Sequence, residues 1–187
     1  GDKGLFINEF ENAILNNEID IAIHSAKDLP SELQNGLEII CTPKRGDARD
    51  VLIKRKNQKN ISKIGTSSPR REFYMKKYFP DAEIKNIRGN IDTRLKKLSS
   101  GEYDAIVLAK AGLDRLKIFD LMKNDFDFEL INIEKLIPAA CQGIIAIEAK
   151  KDFKFKKEIE KINDEKTFKQ FKIERKILKN LQVNCSE

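Results

Sequence analysis

The 187-residue chain has no tryptophan, a single histidine (His24), three cysteines and five prolines. Each scarcity excludes a class of chemistry. Cys41, Cys141 and Cys185 are too few and too scattered for a disulfide framework. With no C-x-x-C pair and no Cys/His cluster, neither structural zinc nor a histidine-based triad is expected, and no metal site is assigned. The apolar runs, such as residues 144–147, fall far short of the about 20 residues that a membrane-spanning helix needs. No signal-peptide pattern is visible, so the expected location is cytoplasmic, with no membrane partner. The chain opens on Gly1 rather than Met and enters a helical pattern almost at once, which leads to the expectation that an N-terminal segment is missing.

What is present is an ordinary globular composition, 40% hydrophobic and 35% charged. The net charge of +6 would suit a polyanion. No aromatic stacking pattern or recognised nucleic-acid motif accompanies it, so no nucleic-acid partner is expected. The choice of basic residue says more. Of 36 basic residues nine are Arg and the remaining 27 Lys, so Lys serves wherever a bare positive charge suffices. Five of the arginines stand at Arg70, Arg71, Arg88, Arg94 and Arg115. A planar guanidinium grips carboxylate or phosphate bidentately, which Lys cannot do.

Apolar spacing predicts a helix over 5–14, a strand over 19–23 and a second strand over 37–41. The polar stretch 43–50 reads as a crossing between domains. Short strand–helix alternations follow: strand 63–65 into helix 69–79, strand 83–87 into helix 91–98, and strand 103–108 into a short helix with Leu113 and Leu116. That alternation predicts an α/β protein with a mainly parallel sheet. A buried-type strand over 144–149 and two charged amphipathic helices, 153–162 and 166–181, complete the pattern. The Lys-rich face of 150–161 reads as a solvated helix surface.

In Gly65-Thr66-Ser67-Ser68-Pro69-Arg70-Arg71, the Ser hydroxyls suit a helix cap and Pro69 suits the first turn. Two arginines there oppose the helix dipole, so an anion should compensate them; the other reading is that both reach solvent or a nearby Glu. The arrangement recurs in Arg88-Gly89-Asn90-Ile91-Asp92-Thr93-Arg94, and Arg115 follows a third strand. Ligands of open α/β sheets bind at the carboxyl ends of strands, where these segments gather. Several arginines with no Walker motif and no G-x-G-x-x-G fit a ligand bearing several carboxylates better than a nucleotide. The loop His24-Ser25-Ala26-Lys27-Asp28-Leu29-Pro30 offers a carboxylate, Asp28, that either stabilises a cation and moves protons or caps a turn. His24 reads as a packed or hydrogen-bonded residue, Cys41 and Cys141 as small buried hydrophobes, and Cys185 as a thiol in a polar setting.

Together with Lys3-Gly4-Leu5-Phe6, Gly101-Glu102-Tyr103-Asp104-Ala105-Ile106 and Pro138-Ala139-Ala140-Cys141-Gln142-Gly143, these motifs stand in the order and spacing of the porphobilinogen deaminase family, which the chain resembles over essentially its whole length. The resemblance implies an α/β fold with two domains like type II periplasmic binding proteins and the start of a small α+β third domain. Residues 1–45 and 138–162 would form domain 1, 46–137 domain 2, and 163–187 the truncated start of domain 3. It also implies a transferase that deaminates and joins four porphobilinogen molecules into hydroxymethylbilane through an azafulvene-type electrophile, as part of tetrapyrrole (haem) biosynthesis. A dipyrromethane cofactor would be held covalently by a thioether to Cys185. Asp28 would be the catalytic carboxylate. Lys27, Ser67, Ser68, Arg70, Arg71, Arg88 and Arg94 would bind the cofactor, Arg115 and Lys3 the substrate, with Lys3 on a mobile loop beside the cleft. A monomer is implied, and the fragment by itself is expected to be inactive. The sequence departs from the family pattern at Ala26, commonly Met, at Pro69, commonly Leu, and at Val183-Asn184, where a pair of glycines is usual. The competing class is a non-enzymatic solute-binding protein of the same fold.

Overall fold

In the computed structural model, residues 3–181 are described, with side chains from residue 7 onward. The described chain falls into two compact units, one built from residues 3–46 and 140–181 and the other from 47–139. It therefore passes from one unit to the other twice, once inside the polar stretch 43–50 and once inside the Pro138–Gly143 motif. Among the described residues no helix is long and apolar enough to cross a membrane, and no group of three or more His, Cys, Asp or Glu could hold a metal ion.

The first unit contains α1 (Lys3–Leu15), β1 (Ile21–Ser25), a 3-10 turn (Ala26–Asp28) and β2 (Leu37–Cys41). Its later portion adds β8 (Ile145–Lys150), α6 (Lys156–Glu160) and α7 (Glu165–Leu181). β8 lies between β1 and β2 and runs antiparallel to both. Ile40, Cys41, Ile147 and Ala149 pack together, while Ala26, Leu29, Cys141, Ile144 and Ala146 close around Phe171 of α7. Cys41 and Cys141 are buried, as expected of small hydrophobes.

His24 belongs to β1 rather than to the loop after it, and its Nε2 lies 2.9 Å from Oε2 of Glu148 on β8. Glu148 is fully buried and Glu11 of α1 nearly so. Burial, and then the charge of Glu148, raise the Glu11 carboxyl above its ordinary range. The lone histidine is thus a core residue with a carboxylate partner.

Both passages are fastened within the first unit by α7. Arg45 donates from its amide to Thr167 Oγ1 (3.0 Å), from Nε to the Gln142 carbonyl (3.0 Å) and from Nη1 to Glu174 Oε1 (2.5 Å). The other oxygen of Glu174 accepts from the Cys141 amide at 2.5 Å. The Gly46 amide donates to the Gly143 carbonyl at 3.0 Å.

The second unit contains β3 (Asp50–Arg55), β4 (Lys63–Gly65), α2 (Pro69–Tyr78), β5 (Glu83–Lys85), α3 (Ile91–Ser99), β6 (Ala105–Ala109), α4 (Lys110–Arg115), α5 (Ile118–Leu121) and β7 (Phe126–Leu130). Its sheet has the order β5-β4-β6-β3-β7. The central strands are covered on both faces, which explains their unbroken apolar runs. Ile106 and Leu108 of β6 face a core with Leu95, Leu98, Leu113 and Ile118, while Ala105 and Val107 face Tyr74 and Met75 of α2. Pro69 opens α2 where no backbone N–H is needed. Asn90 caps α3, its side chain accepting from the Thr93 amide at 2.9 Å.

The α/β class expected from the sequence holds, but a mainly parallel sheet does not. Parallel pairing is confined to β5-β4-β6. β3 runs antiparallel to β6 and to β7, and the sheet of the first unit is antiparallel throughout. The alternation of short strands and helices, which does predict parallel pairing, covers only 63–108. β3 follows directly on the crossing stretch and inserts between β6 and β7, so β7, although it follows β6 through two short helices and runs the same way, does not pair with it. The helix expected over 153–162 is likewise shorter, at Lys156–Glu160.

Candidate functional site

β4, β5 and β6 run parallel, so their carboxyl ends, Gly65, Lys85 and Ala109, share one edge of the second unit. β3 runs the other way, and its first residue, Asp50, pairs with Ala109. A carboxylate is thereby placed on the edge from which the loops to α2, α3 and α4 depart. Asp50 is the residue around which this edge is organised.

Asp50 is fully buried. Arg71, buried on α2, donates to Asp50 Oδ1 from Nη2 (2.7 Å) and Nε (3.1 Å), and from Nη1 to the Val107 carbonyl (3.0 Å). Arg70 brings Nη2 to 2.8 Å from Asp50 Oδ2 as an ion contact and donates from Nη1 to the Ile137 carbonyl at 2.8 Å. The expectation of an anion beside these arginines is met first by a carboxylate of the chain itself.

One carboxylate does not balance the site. Arg94, half-buried on α3, donates from Nε to the Gly89 carbonyl at 2.7 Å. Burial, and then the charge of Arg71, lower its pKa. Burial lowers that of Arg71 as well, with Asp50 opposing and Arg70 adding to the effect. Guanidinium groups stay protonated in proteins, so Arg94 adds a third cation beside the two that Asp50 holds. A further anion would relieve both desolvation and mutual repulsion.

Gly89 lets the chain turn tightly enough for the Arg94 contact. Its φ is +112°, and a Cβ there would lie 2.6 Å from Thr93 Cγ2. Arg88, beside it, is exposed, as is Arg115 at the end of α4. Ser67 donates to the Ile87 carbonyl (2.8 Å) and accepts from the Ile87 amide (3.0 Å), tying the β4–α2 loop to the β5–α3 loop. Ser68 occupies the cap position of α2, but its hydroxyl makes no capping bond; its amide donates to Thr66 Oγ1 at 3.2 Å. The expected capping by serine hydroxyls is therefore absent, and Ser67 serves as a bridge between loops instead.

In the first unit, Lys27 and Asp28 are half-buried on the 3-10 turn that follows β1. The turn is anchored on both sides: Ala26 is buried and donates from its amide to the Ile144 carbonyl at 3.0 Å, and Leu29 is fully buried. The Asp28 carboxylate thus sits at a strand end between two apolar anchors. The Lys3 side chain and Cys185 lie outside the described residues. Asp50, Glu174 and Arg175 were missed as candidates; each is distant in sequence from its partner, and no local spacing marks them.

A family profile described as "Porphobilinogen deaminase, dipyromethane cofactor binding domain" matches residues 1–158. A protein from Picrophilus torridus named "Probable porphobilinogen deaminase" is 47% identical over 190 residues, covering 100% of this chain and 65% of that protein. A porphobilinogen deaminase from Deinococcus radiodurans is 44% identical, covering 99% of this chain and 60% of that protein. The chain thus spans under two thirds of the length of these relatives. Among solved structures, an ABC transporter from Parabacteroides distasonis has a TM-score of 0.49 at 12% identity, over 79% of this chain and 54% of that one, a likeness too distant to carry an argument. The arginine edge, the turn bearing Asp28 and these matches agree, and the chain belongs to the porphobilinogen deaminase family.

Proposed function

We propose that the protein containing this chain joins four porphobilinogen molecules, with loss of ammonia, into hydroxymethylbilane. The observation that carries this reading is the pairing of Arg70 and Arg71 with the buried carboxylate of Asp50, on the edge of the second unit where α3 brings Arg94. Porphobilinogen and dipyrromethane both carry acetate and propionate groups, and the unbalanced guanidinium charge fits them. Arg70, Arg71, Arg88 and Arg94, with Ser68, Ser67 and Lys27, hold the cofactor's carboxylates; Arg115 and Lys3 serve the incoming substrate. When bound, dipyrromethane supplies the free α-carbon from which the chain grows. Asp28 accepts the pyrrole N–H and offsets the positive charge left on that nitrogen as ammonia departs. The buried core beside Asp28 keeps this interaction strong by limiting its hydration. The reading also takes residues 1–45 with 138–162, and 46–137, as the family's first two domains, with 163–187 leading into a third. The protein acts as a monomer in the cytoplasm.

Cys185 is the proposed thioether attachment. Mass spectrometry of the full-length protein should show a dipyrrole adduct that Cys185→Ser abolishes and that Cys41→Ser and Cys141→Ser leave in place. An adduct that survives Cys185→Ser moves the attachment elsewhere, and wild-type protein with no adduct returns the chain to the solute-binding class.

Bidentate grip is tested separately. Arg94→Lys keeps the charge but cannot hold the Gly89 carbonyl and a carboxylate together, and Arg88→Lys loses the planar fork. Each should weaken substrate binding or cofactor assembly by roughly tenfold, the value of one charge-assisted hydrogen bond. Unchanged assembly and KM in both variants would make them surface cations.

A further inference from the structure

Asp28 stands at the end of a short turn, and a turn of three residues does not hold itself rigid. Its first amide is bound by Ile144, and the Leu29 amide donates back to the Ala26 carbonyl at 3.4 Å. Beyond Leu29 come Pro30, which has no N–H, and the exposed Ser31. The carbonyls of Leu29, Pro30 and Ser31 are met by one donor from another element.

That donor is Arg175 of α7. It donates from Nη1 to the Leu29 carbonyl (3.2 Å), and from Nη2 to the Ser31 carbonyl (2.8 Å) and to the Pro30 carbonyl. Its guanidinium carbon lies 5.8 Å from the centre of the Phe171 ring, one helical turn earlier. Phe171 packs in the cluster that contains Ala26 and Leu29, the two anchors flanking Asp28. One face of α7 thus holds the turn twice, by apolar contact and by a fork over three successive carbonyls. A Lys179–Glu32 pair at 2.7 Å lies on the same helix, but both side chains are well exposed and it adds little.

We infer that Arg175 is a positioning residue for Asp28, fixing the backbone that carries the carboxylate without touching substrate. The inference rests on the function proposed above for Asp28. Three carbonyls in a row can converge on one donor only if the chain bends there in a single way, so the guanidinium selects that bend. A lysine ammonium can reach one or two of the carbonyls but does not match the fork.

The test uses the full-length protein with its cofactor. Arg175→Ala should lower kcat about tenfold, the cost of a carboxylate that wanders from its place, with KM changed by less than about twofold. Arg175→Lys should recover part of that loss, and it carries the test if the alanine variant does not fold. Hydrogen exchange should quicken at the Ala26 and Leu29 amides in either variant while the β8 amides keep their protection. In an Asp28→Asn background, Arg175→Ala should cost little more, because the two residues act as one unit. An equal fractional loss in both backgrounds, or an unchanged kcat in Arg175→Ala, overturns the inference. Wild-type turnover in Asp28→Asn alone would instead overturn the role given to Asp28, so the two failures are distinguishable.

Discussion

Asp28→Asn in the full-length protein should fold, carry dipyrromethane when supplied with preformed product, and turn over at least roughly a hundredfold more slowly than wild type, as expected for loss of one preorganised electrostatic group. The substitution keeps the size of the side chain and part of its hydrogen bonding, so it tests charge rather than packing. The backbone around it is held by Ala26, Leu29 and Arg175, so the fold should survive. A carboxylate that offsets charge developing on a pyrrole nitrogen acts mainly in the transition state, and kcat should fall more than affinity. Asp28→Glu retains the charge and moves it by one methylene, and should keep more activity than the amide. The measurement is steady-state turnover of porphobilinogen together with the mass of the bound adduct. Turnover equal to wild type in Asp28→Asn would make the residue a turn cap and the proposed mechanism wrong.

Asp50→Ala should be the most damaging single change in the second unit for stability. It leaves Arg71 buried with no opposing charge and Arg70 facing it at close range. Removing one member of a buried ion pair costs about 3–5 kcal/mol, most of it the penalty of the stranded partner. Asp50→Asn should cost less, because an amide oxygen still accepts from Arg71. The double substitution Asp50→Leu with Arg71→Met removes both charges and should recover most of the stability. It should nevertheless fail to assemble the cofactor, because the guanidinium edge has been dismantled. Urea unfolding of the four proteins, with adduct mass measured on each, separates the two roles. A double variant as unstable as Asp50→Ala would show that the buried pair is not the source of the loss. A double variant that loads cofactor normally would remove Arg71 from the site.

The arginines and Asp28 were legible because their chemistry is local. A guanidinium pair at the start of a helix conflicts with the dipole wherever the rest of the chain goes, and a carboxylate between a strand and a proline is visible in seven residues. Asp50 was not legible, because its meaning depends on β3 running antiparallel to β6. That direction places the first residue of one strand beside the last of the other, and no pattern within residues 47–55 encodes it. β7 was missed although Phe126-Asp127-Phe128-Glu129-Leu130 alternates; its burial decays along the strand, from a buried Phe126 to an exposed Leu130. The role of Glu174 was hidden for a different reason. On a helix rich in Lys and Glu it is indistinguishable by sequence from its solvated neighbours, and only the convergence of Arg45 and the Cys141 amide marks it.

The middle strand of the first unit's sheet, β8, is separated from its two neighbours by the whole of the second unit. Among the described residues β1 and β2 pair with β8 and not with each other, so the ladders they share with it wait until residue 145 has emerged from the ribosome. The second unit is contiguous from 47 to 139, and its partners meet over shorter loops, at lower entropic cost. Synthesis therefore imposes an order: the arginine edge is complete while the strand that leads to Asp28 still lacks β8. During that interval Ala22, Ile40 and Cys41, all buried in the finished protein, remain open to solvent and to other nascent chains. Destabilising substitutions in β8 should accordingly depress yield more than their equilibrium cost alone implies, whereas equivalent changes in β6 should not.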